Sequence, residues 1–188
     1  MGFMPAIFLD RDGVIIENRS DYVKSWQEVI IYPQALIALA VLSRTPYKIV
    51  VVTNQSAVAK GLTDLAEVQV IHRNLVGEVA SAGGRIDACY LCPHSPEDQC
   101  RCRKPKPGLL IQASQELSID LGASIMIGDA LTDLQAGQAA GVGMKILVLS
   151  GRGKAQAGLP EAGLARPFQV CADLLAASQL ILQQPVRK

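Results

Sequence analysis

Apolar runs alternate with helical spacings along almost the whole chain. Residues 6–9 are a short apolar run that reads as a first strand. Residues 34–43 carry leucine and isoleucine at helical spacing, just after Pro33, which suits a helix's first turn. Residues 48–53 (Lys-Ile-Val-Val-Val-Thr) are β-branched and apolar on both faces, as a buried parallel strand requires. A helix is predicted over 65–82, ended by Gly83-Gly84, and a strand over 86–91. The pattern continues with a helix over 107–117 and a strand over 124–127 that runs into Gly128-Asp129. A helix over 131–140, a strand over 144–149 and a closing helix over 172–182 complete it. The stretch 151–167 is rich in Gly, Ala and Pro and is expected to be a mobile loop. Strands alternating with helices predict an α/β fold, a doubly wound and mostly parallel sheet in a three-layer arrangement. No internal repeat is present.

Bulk properties narrow the partners. The 188 residues suit one domain spanning 1–188, and 49% hydrophobic content excludes a disordered chain. A net charge of +1 gives no electrostatic footprint for nucleic acid or an anionic membrane. No apolar run approaches the roughly 18 residues of a spanning helix, and the first residues lack a basic, signal-like start. A cytoplasmic location is the expectation. No apolar helix face demands a partner, so a monomer is expected.

The polar residues fall in a pattern. Asp10, Thr53 and Asp129 each stand just after the last apolar residue of a predicted strand. Ligands of open α/β sheets bind at the carboxyl ends of the strands, so three distant segments deliver polar groups to one edge. Asp10 and Asp12 are two positions apart, which an extended chain can aim into one crevice. Adjacent carboxylates favour a cation between them or a proton on one. Asp10 suits a nucleophile on phosphorus, and Asp12 an acid and base for the leaving group and the water. Asp10 and Asp129 suit Mg²⁺. Thr53 and Lys104, stiffened by Pro105 and Pro107, would stabilise the transferring phosphoryl group. The alternatives are a solvated Asp-Arg-Asp turn, a solvated basic loop at Lys104, and a helix-surface charge at Asp133 instead of a metal-shell role.

Cys92, His94, Cys100 and Cys102 place three thiols and an imidazole within eleven positions. Four such ligands suit a closed tetrahedral Zn²⁺ site, structural rather than catalytic, over 92–102. Cys102 directly precedes Arg103-Lys104, so zinc would pin both cations. Cys89 and Cys171 read as small core residues.

Four segments stand in the order of the motifs of the haloacid dehalogenase (HAD) superfamily of phosphatases. They are Asp10-Arg11-Asp12-Gly13-Val14, Val52-Thr53-Asn54-Gln55, Arg103-Lys104-Pro105 and Gly128-Asp129-Ala130-Leu131-Thr132-Asp133. The resemblance covers about residues 6–150. It implies a HAD-like sheet, Asp10 as nucleophile, Asp12 as general acid/base, Thr53 and Lys104 as phosphoryl stabilisers and Asp129 as magnesium ligand. It also implies a magnesium contact from the Asp12 backbone carbonyl. The short spacings between motifs leave no room for an inserted cap domain, so loops at 17–26 and 55–62 and the zinc loop are expected to set specificity.

Capless HAD enzymes with such a zinc loop resemble two groups. One comprises the D-glycero-D-manno-heptose 1,7-bisphosphate 7-phosphatases of lipopolysaccharide precursor synthesis, the other the histidinol-phosphate phosphatases. Arg103-Lys104-Pro105-Lys106-Pro107-Gly108 and Asp21-Tyr22-Val23 resemble the first. That resemblance implies Arg103 as a clamp on a second phosphate, and Asn54, Gln55 and Ser56 as substrate contacts. A phosphorylated sugar is the expected partner, histidinol phosphate the alternative substrate, and a non-catalytic phosphate-binding module the remaining one.

Overall fold

A computed structural model describes residues 2–183. Six strands form one parallel sheet: β1 (Ala6–Leu9), β2 (Lys48–Asn54), β3 (Ala88–Cys92), β4 (Ile125–Gly128), β5 (Met144–Val148) and β6 (Gln169–Cys171). Their spatial order is β3-β2-β1-β4-β5-β6. The helices are α1 (Pro33–Leu42), α2 (Ser56–Ala59), α3 (Leu65–Ser81), α4 (Gly108–Leu117), α5 (Leu131–Ala140), α6 (Gly153–Ala157) and α7 (Leu174–Leu182).

Strand alternation sorts the core into two layers. Ile7, Leu9, Ile49, Val51, Ile125, Ile127, Ile146 and Val148 face one side, packed with Leu39 and Leu42 of α1, Ile71 and Leu75 of α3, and Leu174 of α7. Ala6, Phe8, Val50, Val52 and Met126 face the other, against Leu109, Leu110 and Ala113 of α4 and Ala136 of α5. Both faces of the central strands are dry, which explains their unbroken apolar sequences. Each fully buried large side chain contributes about 1.5–3 kcal/mol of transfer free energy.

Topology decides where chemistry can occur. Leu9 of β1 pairs with Val51 on one side and with Ile127 on the other. The chain winds from β1 outward to β3, returns to β4, and winds outward again to β6. Connections leave β1 and β4 in opposite directions, and the crevice beyond their carboxyl ends is the switch point of the sheet.

Most expected elements stand within two residues of their predicted bounds. Strand β3 starts at Ala88 because the Asp87 carboxylate takes the Ile49 N–H (2.6 Å), in place of a strand backbone. The expected mobile loop over 151–167 is instead α6 and a 3₁₀ turn, Pro160–Ala165. Its alanines are the reason: Ala162 and Ala165 are small enough to bury against Leu131, Leu134 and Leu147. Lys145 Nζ fixes the turn by donating to the Ala165 carbonyl (2.7 Å). β6 was not predicted, since this edge strand exposes Gln169 and Val170 and so lacks an apolar run. Only a 3₁₀ turn (Trp26–Glu28) and α1 lie between β1 and β2, and only α2 and α3 between β2 and β3. No inserted cap is present among the described residues. No described helix is long and apolar enough to cross a membrane.

Candidate active site

Every strand that borders the switch point delivers a functional residue. Asp10 leaves β1 with its N–H still bonded to the Ile127 carbonyl of β4 (3.0 Å). Thr53 lies near the end of β2, Asp129 follows β4, and Lys104 comes from the loop after β3. Asp10, Asp12, Thr53, Asn54, Gln55, Ser56, Arg103, Lys104 and Asp133 line one cavity of about 390 Å³, together with Arg152. Asn18, Arg19, Ser20, Tyr22 and Val23 close its outer side, within the expected 17–26 segment. The 55–62 segment reaches the cavity with Gln55 and Ser56 only. The expected zinc loop over 92–102 contributes no lining residue; Arg103 beside it does. Asp129 is fully buried and does not line the cavity.

Lys104 is the electrostatic centre. Its buried ammonium donates to Asp10 Oδ1 (2.9 Å) and the Val52 carbonyl (2.8 Å) and pairs with Asp133 Oδ1 (2.6 Å). Three donors thus meet three acceptors. Asp133 is a buried partner of Lys104 and takes the Ala130 N–H (3.1 Å) at the start of α5, which excludes the helix-surface role. It fits only because residue 128 is glycine, where a Cβ would lie 2.2 Å from Asp133 Oδ2. Asn54 holds the Lys104 backbone at both ends, accepting from its N–H (3.1 Å) and donating to its carbonyl (3.0 Å).

These contacts set the acidities. Burial drives the Asp10 carboxyl up to about 6; Lys104 opposes the shift, and the charges of Asp133 and Asp12 add to it. Burial pushes the Lys104 ammonium down, but Asp10 and Asp133 more than reverse this and hold it above its usual range.

Asp12 has a different environment. Arg11, fully buried, donates to it through Nε (3.0 Å) and Nη2 (3.2 Å). Gln55 Nε2 donates to Asp12 Oδ2 (3.0 Å) and to the Thr53 hydroxyl (2.8 Å). Burial raises the Asp12 carboxyl, yet Arg11 and Gln55 outweigh it and leave the carboxyl below the usual range. Behind them, Arg11 Nη1 and His72 Nε2 are buried without hydrogen-bond partners.

Asp129 is covered by Arg152, which sequence reasoning missed. The Arg152 N–H (2.8 Å) and Nε (3.2 Å) donate to Asp129 Oδ2, and Nη2 donates to Oδ1 (2.9 Å). Burial raises the Asp129 carboxyl, and the Arg152 hydrogen bonds only partly offset it. The signal was available: Gly151-Arg152 follows β5 at the same sheet edge. Carboxylate oxygens of Asp10, Asp129 and Asp133 lie within 4.8 Å of one another, a hard donor set that suits a small divalent cation.

The second cluster is separate. Cys92, His94, Cys100 and Cys102 bring their ligand atoms within 4.8 Å of one another. Cys92 Sγ lies 3.5 Å from Cys100 Sγ and 3.6 Å from His94 Nδ1, while Cys102 Sγ lies 3.4 Å from each of them. Tetrahedral zinc with Zn–S of about 2.3 Å has edges of about 3.8 Å, so the donors fit that ion. Gln55 N–H donates to the Cys92 carbonyl (2.7 Å) and Ala59 N–H to that of Pro93 (3.1 Å), which bolts the loop to α2. Arg103 Nη1 donates to Ser56 Oγ (2.9 Å) and the His94 carbonyl (3.0 Å), so its guanidinium is aimed by the cluster.

Two predictions follow from this geometry. Asn54→Ala removes both hydrogen bonds to the Lys104 peptide; it should cost about 1–2 kcal/mol of stability and lower kcat more than it raises KM. Wild-type kcat would contradict that role. His72 is held at about 4, below its ordinary 6.5, by burial and by Arg11. Its neutral form favours the fold, so its contribution is whole above pH 6.5 and is lost as pH falls toward 4. Asp10, raised from 3.8 to about 6, acts in the opposite sense: its contribution is whole below 3.8 and is lost as pH rises through 6. Comparing wild type with His72→Gln isolates the histidine. Wild type should lose about 2 kcal/mol relative to the variant between about pH 7 and pH 5 in magnesium-free urea denaturation. Equal pH slopes would refute this.

A HAD-hydrolase-like family model matches residues 101–177. The chain is 41% identical over 184 residues to the D-glycero-beta-D-manno-heptose-1,7-bisphosphate 7-phosphatase of Bordetella bronchiseptica, covering 96% of this chain and 99% of that relative. It is 39% identical over 177 residues to the enzyme of the same name from Pseudomonas aeruginosa, covering 94% and 97%. The crystal structure of the B. bronchiseptica D,D-heptose 1,7-bisphosphate phosphatase, complexed with magnesium and phosphate, superposes with a TM-score of 0.88 over 97% of this chain and 100% of that one, at 39% identity. This chain belongs to the HAD-like phosphatases, in the family of the D-glycero-beta-D-manno-heptose-1,7-bisphosphate 7-phosphatases.

Proposed function

We propose that the chain is a magnesium-dependent phosphomonoester hydrolase that removes the 7-phosphate of D-glycero-beta-D-manno-heptose 1,7-bisphosphate through an aspartyl-phosphate on Asp10. The observation that carries the reading is the Lys104 ammonium held between Asp10 and Asp133 at the floor of a cavity that also takes Asp12, Thr53 and Arg103. Relatives of near-equal length carry the heptose name, which favours that substrate over histidinol phosphate. The solved relative that holds magnesium and phosphate favours the catalytic reading over a non-catalytic module.

Asp10 attacks phosphorus, and the bond from phosphorus to the sugar oxygen breaks. Asp12 gives its proton to that oxygen, then takes one from the water that hydrolyses the acyl phosphate. The nucleophile must be ionised and the acid protonated, and the two acidities described above lie in the reverse order. Substrate helps correct this, since a phosphate's negative charge beside Asp12 raises its carboxyl. Lys104 favours the ionised Asp10 and, with Thr53, meets the charge on the equatorial oxygens. Asp10 and Asp129, with Asp133 close by, would hold Mg²⁺ together with the Asp12 carbonyl that the family resemblance implies, and the ion would supply divalent charge beside the phosphate. Arg103, Asn54, Gln55 and Ser56 orient the substrate, with Arg103 reaching the second phosphate bidentately. Cys92, His94, Cys100 and Cys102 would hold Zn²⁺, which would keep the adjoining Arg103-Lys104 segment in place. The chain works as one domain.

Phosphate release from both anomers of the heptose bisphosphate and from histidinol phosphate tests the substrate. The beta heptose bisphosphate should give the highest kcat/KM. A preference of about tenfold for histidinol phosphate, ~1.4 kcal/mol in the barrier, would overturn this assignment. Zinc extraction by a mild chelator should lower activity in a way that magnesium does not restore and zinc does. Full activity in verified zinc-free protein would show that the loop orders Lys104 unaided.

A further inference from the structure

Arg152 covers Asp129, one of the three carboxylates whose oxygens lie close enough to share a cation. Its guanidinium spans both Asp129 oxygens, and Asp129 is fully buried beneath it. Half of the Arg152 side chain is exposed, and it lines the cavity that Asp129 does not reach. The backbone under it is fixed independently. Ser150 Oγ donates to the Gly13 carbonyl (2.7 Å), and a Cβ on Gly151 would meet Asp129 Oδ2 at 2.4 Å. The turn therefore stays against Asp129 while the long side chain is free to swing toward solvent.

Charge points the same way. Arg11 matches Asp12, which leaves Asp10, Asp129 and Asp133 facing Lys104 and Arg152. With Arg152 in place, three carboxylates face two cations and one negative charge remains. With Arg152 withdrawn, two remain, the charge that a divalent ion neutralises. The withdrawn guanidinium is still tethered at the rim of the cavity. A planar guanidinium matches two oxygens of a phosphate.

We propose that Arg152 is an exchangeable counter-ion. It holds Asp129 in the metal-free site, yields that carboxylate to the incoming divalent cation, and turns to the phosphate in the cavity. Metal and phosphate then help each other bind, because each favours the same Arg152 position. Arg152 is a positioning residue toward the metal and a binding residue toward phosphate. The inference rests on the reading of Asp129 as a metal ligand.

Calorimetric titration of the full chain with Mg²⁺, and of the Mg²⁺-saturated chain with inorganic phosphate, tests it. Arg152→Ala should bind Mg²⁺ about two- to fivefold more tightly in the absence of phosphate, the scale of a half-exposed ion pair. The same variant should bind phosphate about tenfold more weakly once Mg²⁺ is present. A merely structural arginine would have the opposite effect on the metal, because its loss would release Asp129. Unchanged or weaker Mg²⁺ binding, or unchanged phosphate binding, overturns the proposal. Asp129→Asn separates the two levels. If that variant binds Mg²⁺ like wild type, the metal reading fails and the proposal with it. If it loses Mg²⁺ while Arg152→Ala matches wild type, the proposal alone fails.

Discussion

A buried ammonium shared by two carboxylates governs this molecule. Lys104 reaches Asp10, just beyond the end of β1, and Asp133, in the first turn of α5 after β4, and closes its third hydrogen bond on the β2 backbone. Taking such charges out of water costs several kcal/mol for each ion, and good geometry with full hydrogen bonding is what offsets it. Much of the surrounding structure serves that requirement. Gly128 leaves space for the Asp133 carboxylate, Asn54 holds the Lys104 peptide, and the parallel register of β1 with β2 and β4 brings the three strand ends level. A stable domain could be built with apolar groups there. A buried, strongly coupled charge cluster at the edge of a cavity is the pattern expected of a reacting site.

The two carboxylates of the first motif are separated by environment rather than by type. Asp10 is pressed toward protonation by burial among like charges, whereas Asp12 is held ionised by Arg11 and Gln55. Arg11 is itself among the largest fully buried side chains, so this bias is built into the core. In the mechanism proposed above, a cation beside Asp10 and an anion beside Asp12 would shift each toward the form that the first chemical step needs. The protein alone is thus poised before the reaction. The cluster of Cys92, His94, Cys100 and Cys102 has a related role, since the His94 carbonyl aims the Arg103 guanidinium while the cluster stays outside the cavity.

Much of this was legible in the sequence, for identifiable reasons. A central parallel strand must be apolar on both faces, so residues 48–53 announced themselves, and the polar residue that ends such a run marks the reactive edge. The gathering of Asp10, Thr53 and Lys104, and that of Cys92, His94, Cys100 and Cys102, could be read from motif order and spacing. What escaped depends on long-range packing. Asp133 could be placed at the reactive edge as a metal-shell candidate or read as a helix-surface charge, but its pairing with Lys104, which arrives from the loop after β3, could not be read. Asn54 and Gln55 read as substrate contacts and do line the cavity; that their amides also hold the Lys104 peptide, Asp12 and Thr53 is a matter of long-range packing. Arg152 lies in a Gly- and Ala-rich stretch that resembles a loop, because alanines pack against α5 without the apolar periodicity that reveals a helix. Residues after 183 lie outside the described structure.

The covalent role of Asp10 is tested most directly by acid-quenched single turnover with substrate labelled in the scissile phosphate, followed by peptide mapping of the protein. A transient label should appear on the peptide that contains Asp10, be released by hydroxylamine as acyl phosphates are, and be absent from Asp10→Asn, which should also lose turnover. Label on another residue, or wild-type turnover in Asp10→Asn, would contradict the mechanism.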